Sequence, residues 1–310
     1  MADQQVLILY RRPARDKARV AATVEALSLL RDLQPAVPSG GPLSEHSGVF
    51  WITIPQDALG SARTRLPYLG YTRAVDVPEP LPDASSAEQN LADSGGGRVA
   101  RWRKQTWRLV RLYEEDADAL RERAPDRRVF LLETGDGVVR PIKGYRGDGQ
   151  PLSRRGLPVY DARFLVNLVF HPAKGTFLDP FAGIGGIVVE AIASGWSALS
   201  VDVDPALRHG LVRLGATHTV ADARALPFPS ASVDAIATEP PYDRQVEEML
   251  PVVVHELHRL LRGGGRLAML CAAWQADLLR REAVALGLDP FLDTSINRKG
   301  VDVVALAWRK

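Results

Sequence analysis

Short apolar runs alternate with amphipathic stretches along the second half of the chain. A helix is predicted over 161–170, then the strand TFLDP (176–180), a glycine-rich turn and a helix over 186–193. The strand SALSVDVD (197–204), a helix over 205–214 and the strands HTVADA (218–223) and VDAIATE (233–239) continue the series. A helix over 244–261, the strand GRLAMLC (265–271), a helix over 275–286 and two strands around 297–300 complete it. Strands alternating with helices in this way build a mostly parallel sheet with helices on both faces, an α/β arrangement. Such sheets bind ligands at the carboxyl ends of their strands.

The first half reads differently. QQVLILY (4–10), SGVFWITI (47–54) and YTRAVDV (71–77) predict three strands, with helices over 16–33 and 57–66 between them. This order suggests a small α+β, ferredoxin-like unit over residues 1–80. The Pro-, Ser- and Gly-rich stretch that follows, residues 81–97, reads as a linker. Residues 98–156 predict a basic helix or strand, an acidic helix over 114–123, a strand near 127–134 and a glycine-rich turn region. They are taken as a basic, RNA-binding or connecting region.

Composition adds bounds rather than a function. Of the 310 residues, 46% are hydrophobic and 25% charged, the balance of a globular protein. No run of about 18 apolar residues predicts a membrane span, and the first residues lack the pattern of a signal peptide. The single cysteine, Cys271, excludes an internal disulfide and a Cys-rich zinc site, so a reducing cytoplasm is expected. His255 and His258 share a helical face without a further ligand, and no metal is expected. The net charge of +2 conceals an asymmetry, because RVARWRKQTWRLVR (98–111) carries no acid. Arg101, Trp102, Arg103, Lys104, Trp107 and Arg108 interleave cations with indoles there. That pattern suits phosphate contact with base stacking, and equally an amphipathic element with buried tryptophans.

The glycine-rich turn narrows the ligand. LDPFAGIGGIVVEA places Gly183, Gly185 and Gly186 between a strand and a helix, where backbone can approach a nucleotide closely. The dinucleotide fingerprint fails at Val188, and no Gly-Lys-Ser/Thr phosphate loop is present. Asp179 at the strand end would repel a phosphate. S-adenosylmethionine meets these conditions, because its sulfonium and amino groups are cationic. Asp202, 19 residues after Gly183, is placed to accept from the ribose hydroxyls. Asp222, in VADARALPF beside Ala223, is placed to accept from the adenine amino group. Asp204 is expected to cap the helix that begins at Pro205.

The stretch TEPPYD (238–243) follows a buried strand with two prolines, which can neither extend a ladder nor open a helix comfortably. Together with DPFAGIGG it resembles the class I S-adenosylmethionine-dependent methyltransferases, of Rossmann-like fold with a seven-stranded sheet. Within them it is similar to the amino-methyltransferases that modify exocyclic nitrogens of bases, and most of all to the tRNA guanosine-10 N2-methyltransferase family. DARFLVNLVFHP (161–172) resembles the helix that precedes the glycine-rich strand in that family. The resemblance covers about residues 157–305, so residues 157–310 are expected to be the methyltransferase domain. The first 150 residues match that family's THUMP-containing half by length and order only.

The resemblance implies roles for the motif. Glu239 and the carbonyl of Pro240 would accept from the substrate amine, and Tyr242 would stack on a flipped-out base. Phe181 and Ala223 would join Asp179, Gly183, Gly185, Asp202 and Asp222 around the cofactor. The family has Asp where this chain has Glu239, an added bond of roughly 1.5 Å. An ionised carboxylate accepts only, so Glu239 favours guanine, whose N1–H and N2–H₂ stand side by side, over adenine N6 or cytosine N4. The expected activity is guanine-N2 methylation of tRNA. The competing readings are a DNA amino-methyltransferase and a protein that binds S-adenosylmethionine and RNA with little turnover.

Overall fold

A computed structural model describes residues 4–15, 18–38, 48–80, 98–102, 105–115, 130–142, 144–145, 152–298 and 301–310. The chain divides into two compact units, residues 1–116 and 117–310.

In the first unit, strands β1 (Gln4–Arg11), β2 (Val49–Pro55), β3 (Thr72–Pro80), β4 (Arg98–Trp102) and β5 (Gln105–Glu114) form one sheet in the order β2-β1-β3-β5-β4. Every pairing is antiparallel. The apolar residues Leu7, Ile8 and Leu9 of the interior strand β1 are fully buried, as are Ala21, Ala22 and Ala26 of the helix Arg19–Leu29. Two sequence expectations change here. The observed order β-α-β-α-β-β-β is not the ferredoxin-like β-α-β-β-α-β. Nor does residue 97 separate two modules: β5 pairs with β3 from Ala74–Glu114 to Pro80–Trp107 and with β4 on its other side, so β4 and β5 belong to the edge of the N-terminal sheet. The expected linker (81–97) and most of the expected acidic helix lie outside the described residues.

The second unit opens with two small ladders. Strands β6 (Phe130–Glu133) and β7 (Val139–Ile142) make a hairpin, and β8 (Gly144–Tyr145) pairs with β9 (Leu152–Arg155). The helix Val159–Leu168 then leads into the main sheet of β10 (Thr176–Asp179), β11 (Ser197–Asp202), β12 (Thr217–Val220), β13 (Val233–Thr238), β14 (Leu261–Ala272), β15 (Asp289–Arg298) and β16 (Val301–Arg309). Their order is β12-β11-β10-β13-β14-β16-β15. The first five are parallel, and β16 runs antiparallel to both β14 and β15. This is the Rossmann-like, mostly parallel seven-stranded sheet that the alternation predicts.

The apolar runs explain the burial. Phe177 and Leu178 of β10, Val233, Ala235, Ile236 and Ala237 of β13, and Leu267 to Cys271 of β14 are all buried, as strands covered on both faces must be. The helix Leu250–Leu260 packs Val253, Val254, Leu257 and Leu260 into the same core. Chain order reverses between β10 and β13: from β10 the strands run outward through β11 to β12, whereas β13 and β14 lie on the other side. That reversal opens a crevice beyond the carboxyl ends of these two strands.

Candidate active site

The crevice is a cavity of about 400 Å³ lined by Asp179 and Phe181 after β10, Gly183 in the glycine turn, Asp202 at the end of β11, Asp222 and Ala223 after β12, and Glu239 after β13. Residues that the sequence scatters over 60 positions therefore meet in one place. Gly185 acts from behind the lining. It stands before the helix Gly186–Ala193 with φ +84°, and a Cβ there would lie 2.4 Å from Leu214 Cδ1. Both the left-handed backbone and the space exclude a side chain. Gly183 also has positive φ, +50°, but a Cβ there would meet nothing within 4 Å.

The turn is held from the next strand. Asp202 Oδ2 accepts from the Gly183 amide at 2.8 Å, and its Oδ1 accepts from the Asp204 amide at 3.0 Å. Asp204 in turn accepts from the Ala206 amide at 3.0 Å, the expected cap. Asp222 is gripped by Arg224, whose amide, Nε and Nη2 reach its two oxygens at 2.6 to 3.0 Å. That side-chain bond holds the Asp222 carboxyl below the usual range.

Asp179 is 1% exposed. Its Oδ1 accepts from Thr238 Oγ1 at 2.7 Å, across the β10–β13 reversal, and from the Phe181 amide at 3.2 Å. Burial pushes its pKa up to about 7, against those hydrogen bonds, and the neighbouring Asp202 and Glu239 add to the rise. The carboxyl is thus poised to ionise when a cation arrives. Thr238 was not anticipated, although its hydroxyl does the orienting.

The proline loop is pinned from a distance. Gln275, fully buried at the start of the helix Ala273–Ala285, donates from Nε2 to the Pro241 carbonyl at 2.7 Å. Its Oε1 accepts from the Ala272 amide at 2.9 Å, so both ends of its amide are used. Glu239 and Pro241 line the cavity, whereas Pro240 is buried and neither it nor Tyr242 is among the lining residues. Tyr242 hydrogen-bonds through its hydroxyl: it donates to Glu239 Oε1 at 2.5 Å and accepts from Arg298 Nη1 at 3.2 Å. Burial first and the Glu239 charge second raise the phenol's pKa, so it stays protonated. Arg298 Nη1 also donates to Glu239 Oε1 at 2.6 Å, and its Nε lies 3.3 Å from Oδ2 of the fully buried Asp161.

Among the described residues, the cavity lining contains four acids, Asp179, Asp202, Asp222 and Glu239, and no Lys, Arg or His. Such a set of acceptors suits a cation with hydroxyl and amine groups and disfavours phosphate. Among the described residues no group of three or more His, Cys, Asp or Glu could hold a metal ion, and no helix is long and apolar enough to cross a membrane.

Comparison with known proteins agrees with this geometry. Residues 178–269, from the middle of β10 to the middle of β14, match the family described as a methyltransferase domain. That segment of the C-terminal unit is similar to a methyltransferase domain. The cofactor of that domain is S-adenosylmethionine, and the acidic, phosphate-excluding cavity fits it. Two curated relatives share 31% identity over 128 residues and 34% over 122 residues with this chain. Both are named tRNA (guanine(10)-N2)-dimethyltransferase, from Pyrococcus abyssi and Methanothermobacter thermautotrophicus. The matched segments cover 37% and 35% of this chain and 36% of each relative, so only about a third of their length is spanned. A crystal structure of TrmN from Thermus thermophilus aligns over 99% of this chain and 100% of its own, at 19% identity and a TM-score of 0.48.

The basic segment of the first unit is only partly described. Arg101 and Trp102 end β4, and Arg103 and Lys104 lie outside the described residues. Trp107 is half-buried on β5, and the exposed Arg108 pairs with Glu79 of β3 at 2.5 Å.

Proposed function

We propose that this chain is an S-adenosylmethionine-dependent methyltransferase acting on the exocyclic N2 of guanine in tRNA. The observation that carries the proposal is a cavity at the sheet's reversal point that joins a cation-binding acid, Asp179, to a carboxylate acceptor, Glu239. The names of the two curated relatives support the tRNA and guanine parts. The cofactor, when bound, supplies an electrophilic methyl group.

The protein's own residues do the rest. Asp202 would take the ribose hydroxyls while bracing the glycine turn, and Asp222 with Ala223 would flank the adenine. Asp179, ionised in the complex, would face the cofactor's positive charge. Glu239 would accept from the substrate amine, drawing its nitrogen toward tetrahedral geometry and taking up the positive charge that develops there. Pro240 would present a carbonyl in a direction fixed by its ring. Tyr242 would orient Glu239 in addition to any stacking on the base. Arg101, Trp102, Arg103, Lys104, Trp107 and Arg108 are the proposed RNA-contacting set, in a cytoplasmic enzyme.

Glu239 Oε1 already takes two donors, and an oxygen accepts about two. A two-oxygen grip on guanine N1–H and N2–H₂ would need one of them released, so Oε2 is the acceptor offered in this state. Labelled methyl transfer to bulk tRNA and to DNA, wild type against Glu239→Ala, tests the proposal. Transfer to DNA alone identifies a DNA amino-methyltransferase, and cofactor binding without transfer to either identifies a protein with little turnover.

A further inference from the structure

Glu239 is one bond longer than the aspartate of the family it resembles, and the structure shows where the extra length goes. Its Oε1 is held by two donors from different parts of the chain, Tyr242 three residues on and Arg298 on β15. Oε2 has no hydrogen-bond partner among the described residues, and Glu239 lines the cavity. Arg298 is itself anchored from behind by Asp161, which is fully buried on the helix Val159–Leu168. The guanidinium thus stands between one fully buried acid and one that borders the cavity.

We infer that Arg298 is the positioning residue of this site: it ties Glu239 back through Oε1, so that Oε2 alone meets the substrate amine. The inference rests on the proposed methyl transfer for its function, but the tie itself is a property of the protein without substrate. The geometry gives Arg298 three effects. It fixes the carboxylate rotamer, which a Glu with three rotatable bonds would not keep alone. It sets the reach of the acceptor, compensating the added methylene. It also places a cation beside the Glu239 carboxylate, on the oxygen that Tyr242 shares.

The charged and titratable groups around Glu239 are Asp179 at the end of β10, Tyr242 in its own loop and Arg298 on β15. Asp161 lies behind Arg298, and Cys271 of β14 acts on Tyr242. Burial works against the Arg298 cation, but Glu239 and Asp161 outweigh it and raise its pKa. Arg298 therefore stays charged across the working range. Without it, the Tyr242 hydroxyl alone would hold the Glu239 carboxylate among the described residues.

Arg298→Met, Arg298→Lys and Tyr242→Phe test the inference in the full-length protein. Calorimetry with S-adenosylmethionine checks the cofactor site, which Arg298 does not line, and its Kd is expected to stay within about twofold. With tRNA, Arg298→Met should lower kcat roughly ten- to a hundredfold, the range for a misplaced acceptor, with little change in KM. Arg298→Lys should return kcat most of the way, and Tyr242→Phe should lower kcat less.

The carboxyl carbon of Glu239, followed by ¹³C NMR and assigned with Glu239→Gln, gives a readout that needs no turnover. Its chemical shift at pH 8 should move in Arg298→Met, which removes one of the two donors to Oε1, and move less in Arg298→Lys. An unmoved chemical shift in Arg298→Met overturns the inference whatever the activity, as does a kcat loss that Lys does not rescue and that comes with lost cofactor binding. If the wild type transfers nothing to tRNA, the proposed function fails while the NMR comparison still decides the tie.

Discussion

Replacing Asp179 by Asn separates the two things its burial does. The carboxyl is 1% exposed and its pKa is pushed up from 3.8 to about 7 by burial. In the unfolded chain the group ionises at its ordinary value. Between pH 3.8 and pH 7 the folded protein therefore holds a proton that the unfolded one has released, and stability falls as pH rises through that window. A shift of about 3 units at 1.36 kcal/mol each amounts to about 4 kcal/mol lost by pH 8, of which some 2–3 kcal/mol falls between pH 5 and pH 8. Asn keeps the Oδ1 acceptor used by Thr238 and the Phe181 amide, and it does not ionise. Urea titrations at both pH values should show Asp179→Asn gaining about 2–3 kcal/mol on the wild type between pH 5 and pH 8. Any fixed cost of the new amide cancels in that difference. The same variant should bind S-adenosylmethionine more weakly at pH 8, having no charge to offer a cation. A stability gap that is the same at both pH values would refute the titration of Asp179 and with it the origin of the site's charge response.

Other consequences follow from single contacts. Gly185→Ala should destabilise the second unit by about 2 kcal/mol or more in thermal denaturation and weaken cofactor binding. Its φ of +84° and the Leu214 methyl 2.4 Å from a Cβ both oppose the methyl group. Asp202→Asn leaves one acceptor oxygen for two backbone amides, so one bond to the turn is lost along with the charge, and calorimetry should show cofactor affinity falling roughly ten- to a hundredfold. The buried Cys271 thiol, pushed up to about 12 by burial, should resist iodoacetamide at pH 8 until the protein is unfolded in urea.

Much of the fold and of the cavity lining was legible because its signals are local. The strand–helix alternation that predicts the sheet is carried by runs of a few residues. Asp179, Asp202 and Asp222 announce themselves because a parallel sheet brings successive strand ends to one rim. What stayed hidden depends on distant partners. Thr238 reaches Asp179 across 59 positions, Gln275 reaches Pro241 across 34, and Arg298 reaches Glu239 across 59. A threonine at a strand end, a glutamine in a helix and an arginine before a turn carry no local mark of such roles. Tyr242 was read through a resemblance as a stacking ring, and only the coordinates show its hydroxyl on Glu239. In the first half, residues 98–114 allow helix or strand by pattern alone. Pairing with β3 decides for strand, and no local signal encodes that pairing.

The most direct test is the chemical identity of the product. Purified wild-type protein and Glu239→Ala would each be incubated with methyl-labelled S-adenosylmethionine and unmodified tRNA, and the RNA digested to nucleosides for mass spectrometry. The expected result is label in N2-methylated guanosine for the wild type, with a loss on the order of a hundredfold or more for Glu239→Ala. Label in another nucleoside, or equal transfer by the two proteins, would contradict a guanine-N2 methyltransferase built on Glu239.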